Sequence, residues 1–315
     1  MRVESVCILG GTGFVGRSVA EQLCERGVRV RVVTRRPLRS KPLWVLPTVE
    51  VFAADPHDEV TLAAQFEGAD AVVNLCGILH ETRRESFASV HTDLPRKLVG
   101  ACRAAGVRQL VHMSALGASE SSPSEYQRSK ARGEAAIRDN AANLPFTIFR
   151  PSVMFGEGDQ FLNRFAVLLG IAPFMPLAAA DSRVQPIWVE DVARAIVASL
   201  GDPQAFDKTF ELCGPRVYTL AELVAFVGQV TRKRRAIVAL PAWAANLQAF
   251  LFERLPGKLI TRDNLRSLSV DNVCAGAFPQ FFEFMPASIE AVVPLYLEGR
   301  NARARYNFFR YRAGR

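Results

Sequence analysis

The sequence predicts an α/β fold in which a doubly wound parallel sheet is joined to a smaller, mixed C-terminal lobe. Short apolar runs alternate with helical patterns through the first half of the chain, as in repeated strand and helix units. The first apolar run, Val3 to Leu9, leads directly into a glycine-rich turn. The 315 residues are 49% hydrophobic, which is enough to bury a large core.

The glycine-rich turn is the strongest functional pattern in the sequence. The helix that follows it has one apolar face, with Val15, Val19 and Leu23, and Gly27 ends it. Glycines allow a tight turn and a close approach to a pyrophosphate, whose charge meets free N–H groups at the helix start. We therefore expect the entry of a Rossmann fold, with cofactor contacts from Gly10, Thr12, Gly13, Phe14, Val15 and Gly16.

The second predicted strand, Val28 to Thr34, ends in Arg35 and Arg36. An acidic side chain near this strand end binds the ribose hydroxyls of NAD, whereas arginine accommodates the additional phosphate of NADP. No carboxylate stands beside the two arginines, so we favour NADP(H) over NAD(H). Arg35 is the expected main contact and Arg36 its neighbour. In the alternative interpretation, the two arginines form only a solvated corner.

The third and fourth strands are predicted at Val49 to Ala53 and at Asp70 to Leu75, with a helix from about Asp58 to Phe66 between them. Asp55 follows the third strand, at a position where such sheets contact adenine. Cys76 and Gly77 follow the fourth strand. Small residues there let the cofactor lie close to the backbone.

The next helical pattern begins near Leu94, with Thr92 or Asp93 as its N-cap. His91 lies at its entrance. We expect His91 to be structural rather than catalytic, because no carboxylate or cysteine pattern accompanies it.

The expected chemistry lies after the fifth strand, Val107 to Met113, which ends at Ser114 where ligands bind in open parallel sheets. The helix predicted over Glu125 to Asn140 has Tyr126 and Lys130 four residues apart and therefore adjacent. The ammonium group of Lys130, with an oxidised nicotinamide, would lower the phenol pKa from about 10. Tyr126 is then the expected acid/base, Lys130 orients the cofactor, and Ser114 binds the reacting carbonyl.

The sequence resembles the short-chain dehydrogenase/reductase superfamily, in the extended or atypical branch that includes nucleotide-sugar epimerases and dehydratases. The resemblance lies in the glycine-rich turn, in the Tyr126-x-x-x-Lys130 pair and in the segment Arg150-Pro151-Ser152-Val153-Met154-Phe155-Gly156. It implies an NAD(P)-dependent oxidoreductase or epimerase. It also implies that the backbone after the sixth strand holds the nicotinamide carboxamide, at Pro151, Ser152 and Val153.

A closer likeness is to bacterial relatives of the NADPH-binding accessory subunit of respiratory complex I. It rests on the segments Val111 to Ala118, Gln185 to Ala193 and Pro286 to Glu290. Epimerases usually have several serines or threonines after strand five, whereas here Ser114 is followed by Ala115. Two functions therefore stay open. One is an NADP(H)-binding oxidoreductase or epimerase-like enzyme acting on an unidentified small molecule. The other is a non-turnover NADPH-binding accessory or assembly protein of a respiratory or membrane complex.

The predicted domain organisation has three parts. Residues 1–155, with parts of 184–213, form the dinucleotide-binding domain; residues 156–298 form a substrate or partner lobe; residues 299–315 form a basic aromatic tail. Within the lobe, the apolar, proline-broken stretch from Leu169 to Ala180 is expected to be a substrate lid, a partner surface or a buried linker. Short strands are expected at 184–189, 209–213 and 236–240, with helices at 190–200 and 220–230.

The formal net charge of +8 is partly local, because six arginines and no acidic residue follow Glu298. With the interleaved tyrosines and phenylalanines, this tail could anchor the protein to an anionic membrane surface, a nucleic acid or a partner protein. It could also be a solvated terminus. We favour a membrane or respiratory-complex contact over nucleic acid, and a homo-oligomer stays open.

The six cysteines are scattered, with no CxxC pair and no clustering with the four histidines. This usage favours buried thiols in a reducing cytoplasm over disulfides or a metal site. No apolar stretch reaches the roughly 20 residues that a membrane-spanning helix needs. A cleavable signal peptide would have to overlap the first strand. We therefore expect a cytoplasmic protein, with peripheral attachment to the inner face of the membrane as an option.

Overall fold

The computed structural model describes residues 2–253 and 261–298, which form two compact units. The predicted basic aromatic tail, 299–315, lies outside the described residues. The first unit comprises residues 2–151, Val189–Leu212 and Pro279–Glu283. The second comprises Ser152–Trp188 and residues 213–253, 261–278 and 284–298.

The chain has the following regular elements. The strands are β1 (Ser5–Leu9), β2 (Arg29–Thr34), β3 (Val49–Ala53), β4 (Ala71–Asn74), β5 (Gln109–Met113), β6 (Phe146–Pro151), β7 (Met154–Phe155), β8 (Phe174–Leu177), β9 (Arg183–Val184), β10 (Ile187–Trp188), β11 (Lys208–Leu212), β12 (Tyr218–Thr219) and β13 (Ala236–Ala239). The α-helices are α1 (Phe14–Glu25), α2 (Glu59–Phe66), α3 (Leu94–Ala104), α4 (Glu125–Asn140), α5 (Leu162–Ile171), α6 (Val189–Ser199), α7 (Leu220–Val230), α8 (Ala242–Phe252), α9 (Arg262–Leu268) and α10 (Ile289–Leu297). Short 3-10 helices span Pro37–Val45, Pro203–Ala205 and Gln280–Phe282.

The first unit is built on a seven-stranded sheet in the order β11-β6-β5-β4-β1-β2-β3, and every neighbouring pair is parallel. The strand order reverses between β1 and β4, the place where doubly wound sheets open a binding crevice. The predicted fold class, a doubly wound Rossmann sheet, is confirmed. Strands β4 and β5 are buried along their whole length, as expected for central strands of a parallel sheet, and their polar side chains Asn74, Gln109 and His112 are buried with them.

Helices pack on both faces of this sheet. One buried cluster joins β1, β4 and β5 to α2, α3 and α4, with Phe66, Leu98 and Ile137 fully buried. Elsewhere in this unit α1 packs against α6, where Ser18 Oγ donates to Glu190 Oε1 at 2.6 Å. The apolar faces predicted from helical spacing are therefore the faces that pack.

The end of α1 follows the glycine pattern predicted from the sequence. Gly27 has a φ of +72°, its N–H donates to Cys24 O at 2.9 Å, and Val28 N–H donates to Leu23 O at 3.0 Å. This is the hydrogen-bond pattern of a Schellman motif, which favours glycine at the left-handed position.

The entry into α3 differs from the prediction. A π-helical turn, Ala88–Asp93, runs directly into α3, and Phe87 before it already has helical backbone angles. Thr92 and Asp93 therefore lie inside the helical segment, and Asp93 makes no capping hydrogen bond. A π turn is not visible in an apolar pattern of period 3.6, so the cap prediction was wrong.

The second unit contains three short strand pairs around an apolar core from α5, α7 and α10. β8 pairs with β13 and β7 with β10 in parallel, while β9 and β12 are antiparallel. The stretch from Leu169 to Ala180 forms the end of α5 and strand β8, with Met175 and Leu177 buried in that core. Part of this stretch is therefore packed into the core of the unit.

A disulfide joins Cys213 to Cys274 in the second unit, so the expectation of six free thiols was wrong for this pair. Gln185 brings the two segments together: its side-chain Nε2 donates to Gly214 O at 2.7 Å and its Oε1 accepts from Cys274 N–H at 3.1 Å. Because 61 positions separate the two cysteines, no local spacing pattern indicates their contact. Cys7, Cys24, Cys76 and Cys102 are free.

Within the described residues, none of the helices has the length and apolar character needed to cross a membrane.

Candidate functional site

The glycine-rich turn at the end of β1 has no room for side chains. Gly10 has a φ of +76°, and a Cβ there would lie 2.9 Å from the carbonyl carbon of Leu75. A Cβ at Gly16 would lie 2.4 Å from both Gly10 O and the Cα of Gly11. The first turn of α1 is therefore folded directly onto the loop, beside the end of β4. This leaves the backbone open to a ligand at the strand ends.

The N-terminus of α1 is suited to an anion. Gly13 is its N-cap, with extended backbone and no side-chain capping bond, and the first turn has no acidic residue. Uncapped N–H groups and the helix dipole together attract a phosphate. Gly13 is exposed, Thr12 and Phe14 are half-buried, and Val15 and Gly16 are buried. These residues fit the pyrophosphate of a dinucleotide.

Arg35, the predicted contact of the NADP phosphate, forms an ion pair with Glu85. Glu85 comes from the segment between β4 and the π-helical turn, 50 residues further along the chain. The Arg36 side chain is exposed. Asp55 is exposed after β3, and its carboxylate accepts from His57 N–H at 3.0 Å. The fold therefore supplies a carboxylate beside Arg35 that the local sequence does not contain.

Replacing this carboxylate is expected to change the cofactor preference. In Glu85→Gln, Arg35 loses its competing anion, so the affinity for NADPH should rise relative to that for NADH by about fivefold, as for a half-exposed ion pair. Titrations of both reduced nucleotides, followed by their fluorescence, measure this ratio. Glu120→Gln removes the same charge from an exposed position and should leave the ratio unchanged. An unchanged ratio in Glu85→Gln would show that Arg35 does not bind the phosphate.

Lys130 is buried at the ends of β4 and β5. Its side chain is 4% exposed, and its Nζ donates to Met113 O at 3.1 Å. A Cβ at Gly77 would lie 3.2 Å from the same nitrogen, so glycine there leaves space for the ammonium group. Burial lowers the pKa of Lys130 to about 8, although the charges of Cys76 and Glu134 act in the opposite direction. The predicted residues from both strand ends and from α4 are thus brought together.

Tyr126 packs among aromatic rings. Its ring centroid lies 6.0 Å from that of Phe87 and 5.5 Å from that of His91, both edge to face. Burial raises the pKa of Tyr126 to about 12. In the protein alone, the expected lowering of this pKa by Lys130 is therefore absent, because burial among apolar rings dominates. The phenol is protonated at neutral pH and is available as a proton donor.

His91 holds the loop after β4 against α4. Its Nε2 accepts from Ile78 N–H at 3.0 Å, so its proton lies on Nδ1, which is 2.8 Å from Ser129 Oγ. The Ser129 hydroxyl in turn donates to Tyr126 O at 2.7 Å. Burial, with the charge of Lys130, lowers the pKa of His91 to about 2. The imidazole is neutral in one tautomer, which fits the structural role expected of it.

The π-helical turn approaches α4 closely at Gly133. A Cβ on Gly133 would lie 2.0 Å from His91 O. Because this oxygen belongs to the backbone, a side-chain movement could not remove the clash, and the position requires glycine. The rings of Phe87 and His91, which flank Tyr126, come from this turn and the residue before it. Gly133 therefore allows the π-helical turn to pack closely on α4, and this packing places the rings of Phe87 and His91 against Tyr126.

Ser114 is buried after β5, and its Oγ makes no hydrogen bond of normal geometry within the described part of the chain. The Glu134 carboxylate is nevertheless near enough for the Ser114 hydroxyl to help lower the pKa of Glu134. Two residues earlier on the same strand, His112 Nδ1 lies 3.0 Å from Asn74 Nδ2, while its Nε2 also lacks a partner there. The Asn74 Oδ1 accepts from Cys76 N–H at 3.1 Å. Buried hydroxyls without partners are uncommon and costly. A ligand oxygen would satisfy the hydroxyl of Ser114.

Beneath the site, Glu134 on α4 is 1% exposed and binds two arginines. Arg150 from β6 donates to it through Nε and Nη2, both at 2.7 Å, and Arg138 donates at 2.9 Å. Burial by itself would raise the pKa of Glu134, but hydrogen bonds from Arg150, Ser114 and Arg138, with the charge of Arg150, outweigh it and hold the pKa below its usual range. This ion pair fixes α4 to the sheet.

The residues expected to hold the nicotinamide carboxamide already have partners. Pro151 O accepts from Leu116 N–H at 3.0 Å in the first unit. In the second unit, the Asn272 side-chain oxygen accepts from Ser152 Oγ at 2.6 Å and from Val153 N–H at 3.0 Å. Within the described chain, no group of three or more His, Cys, Asp or Glu side chains could hold a metal ion.

Comparison with known proteins agrees with this geometry. The model of a family described as NAD(P)H-binding matches residues 10–203, which include the glycine turn, the Tyr126 and Lys130 pair and strands β2 to β10. The chain belongs to the NAD(P)H-binding family.

Two curated members of this family are similar over most of their length. The mitochondrial NADH dehydrogenase (ubiquinone) 1 alpha subcomplex subunit 9 of Arabidopsis thaliana is 33% identical over 84% of this chain and 70% of its own. The ceramide reductase of Caulobacter vibrioides is 34% identical over 75% of this chain and 73% of its own.

A solved structure shares the fold. An NADPH-dependent quinone oxidoreductase of Escherichia coli, complexed with NADPH, superposes with a TM-score of 0.73 over 92% of this chain and 99% of its own. It is 20% identical. The Rossmann fold is thus found by comparison as well as in the strand order.

Several residues at the site were not predicted from the sequence: Asn74, Glu85, His112, Glu134 and Arg150. His112 could have been found, since a strand alternates its faces and His112 shares the face of Ser114. Glu134 lies four residues beyond Lys130, on the same helix face. Glu85 has no such pattern, because only the folded loop brings it to Arg35.

Proposed function

We propose that the protein is an NADPH-dependent oxidoreductase that reduces a carbonyl group, with Tyr126 as the proton donor. The observation that carries this proposal is Lys130, buried at the ends of β4 and β5, with the half-buried Tyr126 one turn earlier on α4. Burial raises the pKa of Tyr126 to about 12, so the residue holds the proton that a reduction consumes. The family membership and the 34% identity to a ceramide reductase support the same reaction class.

Each residue has a role in this reaction. When bound, the reduced nicotinamide supplies the hydride that adds to the carbonyl carbon. Ser114 donates its hydroxyl hydrogen bond to the carbonyl oxygen, and Tyr126 transfers its proton to that oxygen, which gives the alcohol. The ammonium group of Lys130 stabilises the resulting phenolate.

The proposed cofactor contacts are those derived from the glycine turn and the arginines. The α1 N-terminus holds the pyrophosphate, and Arg35 with Arg36 receives the 2′-phosphate once Glu85 is displaced. Cys76 and Gly77 line the nicotinamide half, and Asp55 lies towards the adenine. Ser152 and Val153 would exchange their Asn272 contact for the carboxamide.

A second candidate function is a non-turnover NADPH-binding accessory protein of a respiratory or membrane complex, held at the inner face of the membrane. It is favoured by the 33% identity to the NADH dehydrogenase subunit of Arabidopsis thaliana, which extends over 84% of this chain.

One experiment separates the two functions. The nucleotide that co-purifies with the protein is identified by mass spectrometry, and reduced nicotinamide absorbance is then followed with ketone, quinone and nucleotide-sugar acceptors. A long-chain keto lipid is included because of the ceramide reductase relative. Exchangeable NADPH that is oxidised by a ketone supports the reductase. Tightly held NADPH that none of these acceptors oxidises contradicts it and favours the accessory protein.

A further inference from the structure

Large apolar side chains protrude from the second unit where α5 ends and β8 begins. Ile171 is 79% exposed and Phe174 is 51% exposed, and Val167 one turn earlier is also exposed. In the β8 and β13 pair, Phe174 lies opposite Ala236 and Pro176 opposite Val238, so these four share the outer face. This outer face is apolar along its length. Exposed apolar surface of this extent marks an interaction site.

Four consecutive cations, Arg232 to Arg235, lie against the same end of α5. Arg235 Nε donates to Leu169 O at 3.3 Å, and Lys233 Nζ lies 2.7 Å from the position of a Cβ on Gly170. Arg232 pairs with Glu298 at 3.5 Å. The positive charges of Lys233, Arg234 and Arg235 therefore border the exposed apolar side chains directly.

A groove of about 440 Å³ opens beside this basic turn. Arg234 and Arg235 lie on one wall, and Val224 and Phe226 of α7 contribute apolar surface. Its acidic lining residue, Glu222, is engaged in the capping box at the start of α7. The groove combines two guanidinium groups with apolar walls, which suits an anionic headgroup attached to an acyl chain.

Helix α8, which is separated from β13 by two residues, has its large side chains on the outside. Trp243 is 72% exposed, and Leu247 and Leu251 follow it at intervals of four residues and are exposed too. The small residues Ala245 and Ala249 are buried instead. The helix has no charged residue over Ala242–Phe252. Folding therefore exposes the apolar stripe of this helix, the reverse of the usual arrangement in soluble proteins.

We infer that this surface docks on an anionic phospholipid bilayer. The docking face comprises Val167, Ile171, Phe174, Lys233, Arg234 and Arg235. In this inference the exposed stripe of α8, Trp243, Leu247 and Leu251, enters the same bilayer. Protruding apolar and tryptophan side chains enter the boundary between headgroups and acyl chains, while the adjacent cations contact lipid phosphates. The positive charge of the basic turn is complementary to the negative charge of anionic lipid headgroups. The turn contains no acidic side chain that would repel these headgroups.

The test uses sedimentation of the full chain with vesicles of phosphatidylcholine, either alone or with a one-third fraction of phosphatidylglycerol. Binding to the anionic vesicles is expected, and it should weaken as salt is added. The triple variant Lys233→Glu, Arg234→Glu, Arg235→Glu should bind on the order of 100-fold more weakly, at about fivefold for each basic residue. The double variant Ile171→Ser, Phe174→Ser should bind about tenfold more weakly or worse.

A matched control reverses three exposed arginines of the first unit, at Arg26, Arg29 and Arg103. It changes the net charge by the same amount and should bind vesicles like the unaltered protein. If both triple variants weaken binding equally, net charge and not the docking face is responsible, and the inference is wrong. All variants keep the C-terminal tail, so its contribution is constant.

Tryptophan fluorescence provides a second measurement that does not depend on charge reversal. Emission should shift to shorter wavelength when anionic vesicles are added, and Trp243→Phe should abolish the shift. Trp44→Phe, which removes an exposed tryptophan from the first unit, should retain it. A shift that survives Trp243→Phe contradicts the inference. The inference is also wrong if the triple glutamate variant and the double serine variant still bind vesicles fully. If those two variants no longer co-elute with a respiratory complex, the docking face binds a protein partner instead.

Discussion

Tyr126→Phe is expected to lower kcat for carbonyl reduction by about 10²–10⁴-fold, the usual contribution of a positioned general acid. The dissociation constant for NADPH should change little. The phenylalanine ring keeps the edge-to-face packing on Phe87 and His91, and the phenol oxygen alone is lost. The expected defect is therefore confined to proton transfer.

The measurement combines steady-state turnover of an identified acceptor with a fluorescence titration of NADPH. Tyr218→Phe is the matched control: its hydroxyl donates to Glu290 Oε1 at 2.8 Å in the second unit, and the proposed mechanism gives it no role in proton transfer. This control should keep its kcat. A large loss of NADPH affinity in Tyr126→Phe would contradict the assigned role, because it would show that the hydroxyl supports binding. Unchanged turnover would contradict it as well.

The same mechanism predicts the pH dependence of reduction. Burial lowers the pKa of Lys130 to about 8, so its ammonium group is lost as the pH rises above 8. The rate should fall there, because a neutral amine no longer stabilises the phenolate. Tyr126 stays protonated across this range and cannot cause the fall. Lys130→Arg, which keeps the charge, should move the fall to higher pH even if its maximal rate is lower.

Local patterns predicted the parts of the site that a single segment builds. The glycine turn with α1 and the range of α4 were read correctly, because strand period, helix period and glycine conformations are properties of neighbouring residues. The same holds for the α7 range, Leu220–Val230, which agrees with the predicted helix.

Contacts between distant segments were not predictable in this way. Two such contacts are the ion pair between Arg35 and Glu85 and the disulfide between Cys213 and Cys274. Each joins segments so far apart in the sequence that no spacing pattern indicates the contact. The exposed stripe of α8 was also ambiguous. Because α8 is apolar on all sides, its sequence does not indicate whether Ala245 or Trp243 faces the core. In the folded chain Ala245 is buried and Trp243 is exposed.

Glu134→Gln is expected to lower the free energy of unfolding by about 3–5 kcal/mol, because it leaves Arg150 without the carboxylate that it binds through two hydrogen bonds. Denaturant titration at neutral pH measures the loss. The folded-state pKa of Glu134 lies below its unfolded value, so this stabilisation is complete above the unfolded pKa. It should disappear as the pH falls through the folded pKa.

Glu125→Gln on the same helix is the matched control. Glu125 also binds two arginines, Arg128 and Arg132, but its side chain is 41% exposed against 1% for Glu134. Water screens an exposed pair, so the expected loss is at most about 1 kcal/mol. Equal losses in the two variants would mean that burial does not determine the strength of the Glu134 pair. A loss of unfolding free energy in Glu134→Gln alone, together with slower turnover by the folded variant, would support a positioning role for the pair. Arg150 would then hold α4, and with it Tyr126 and Lys130, in position against the sheet.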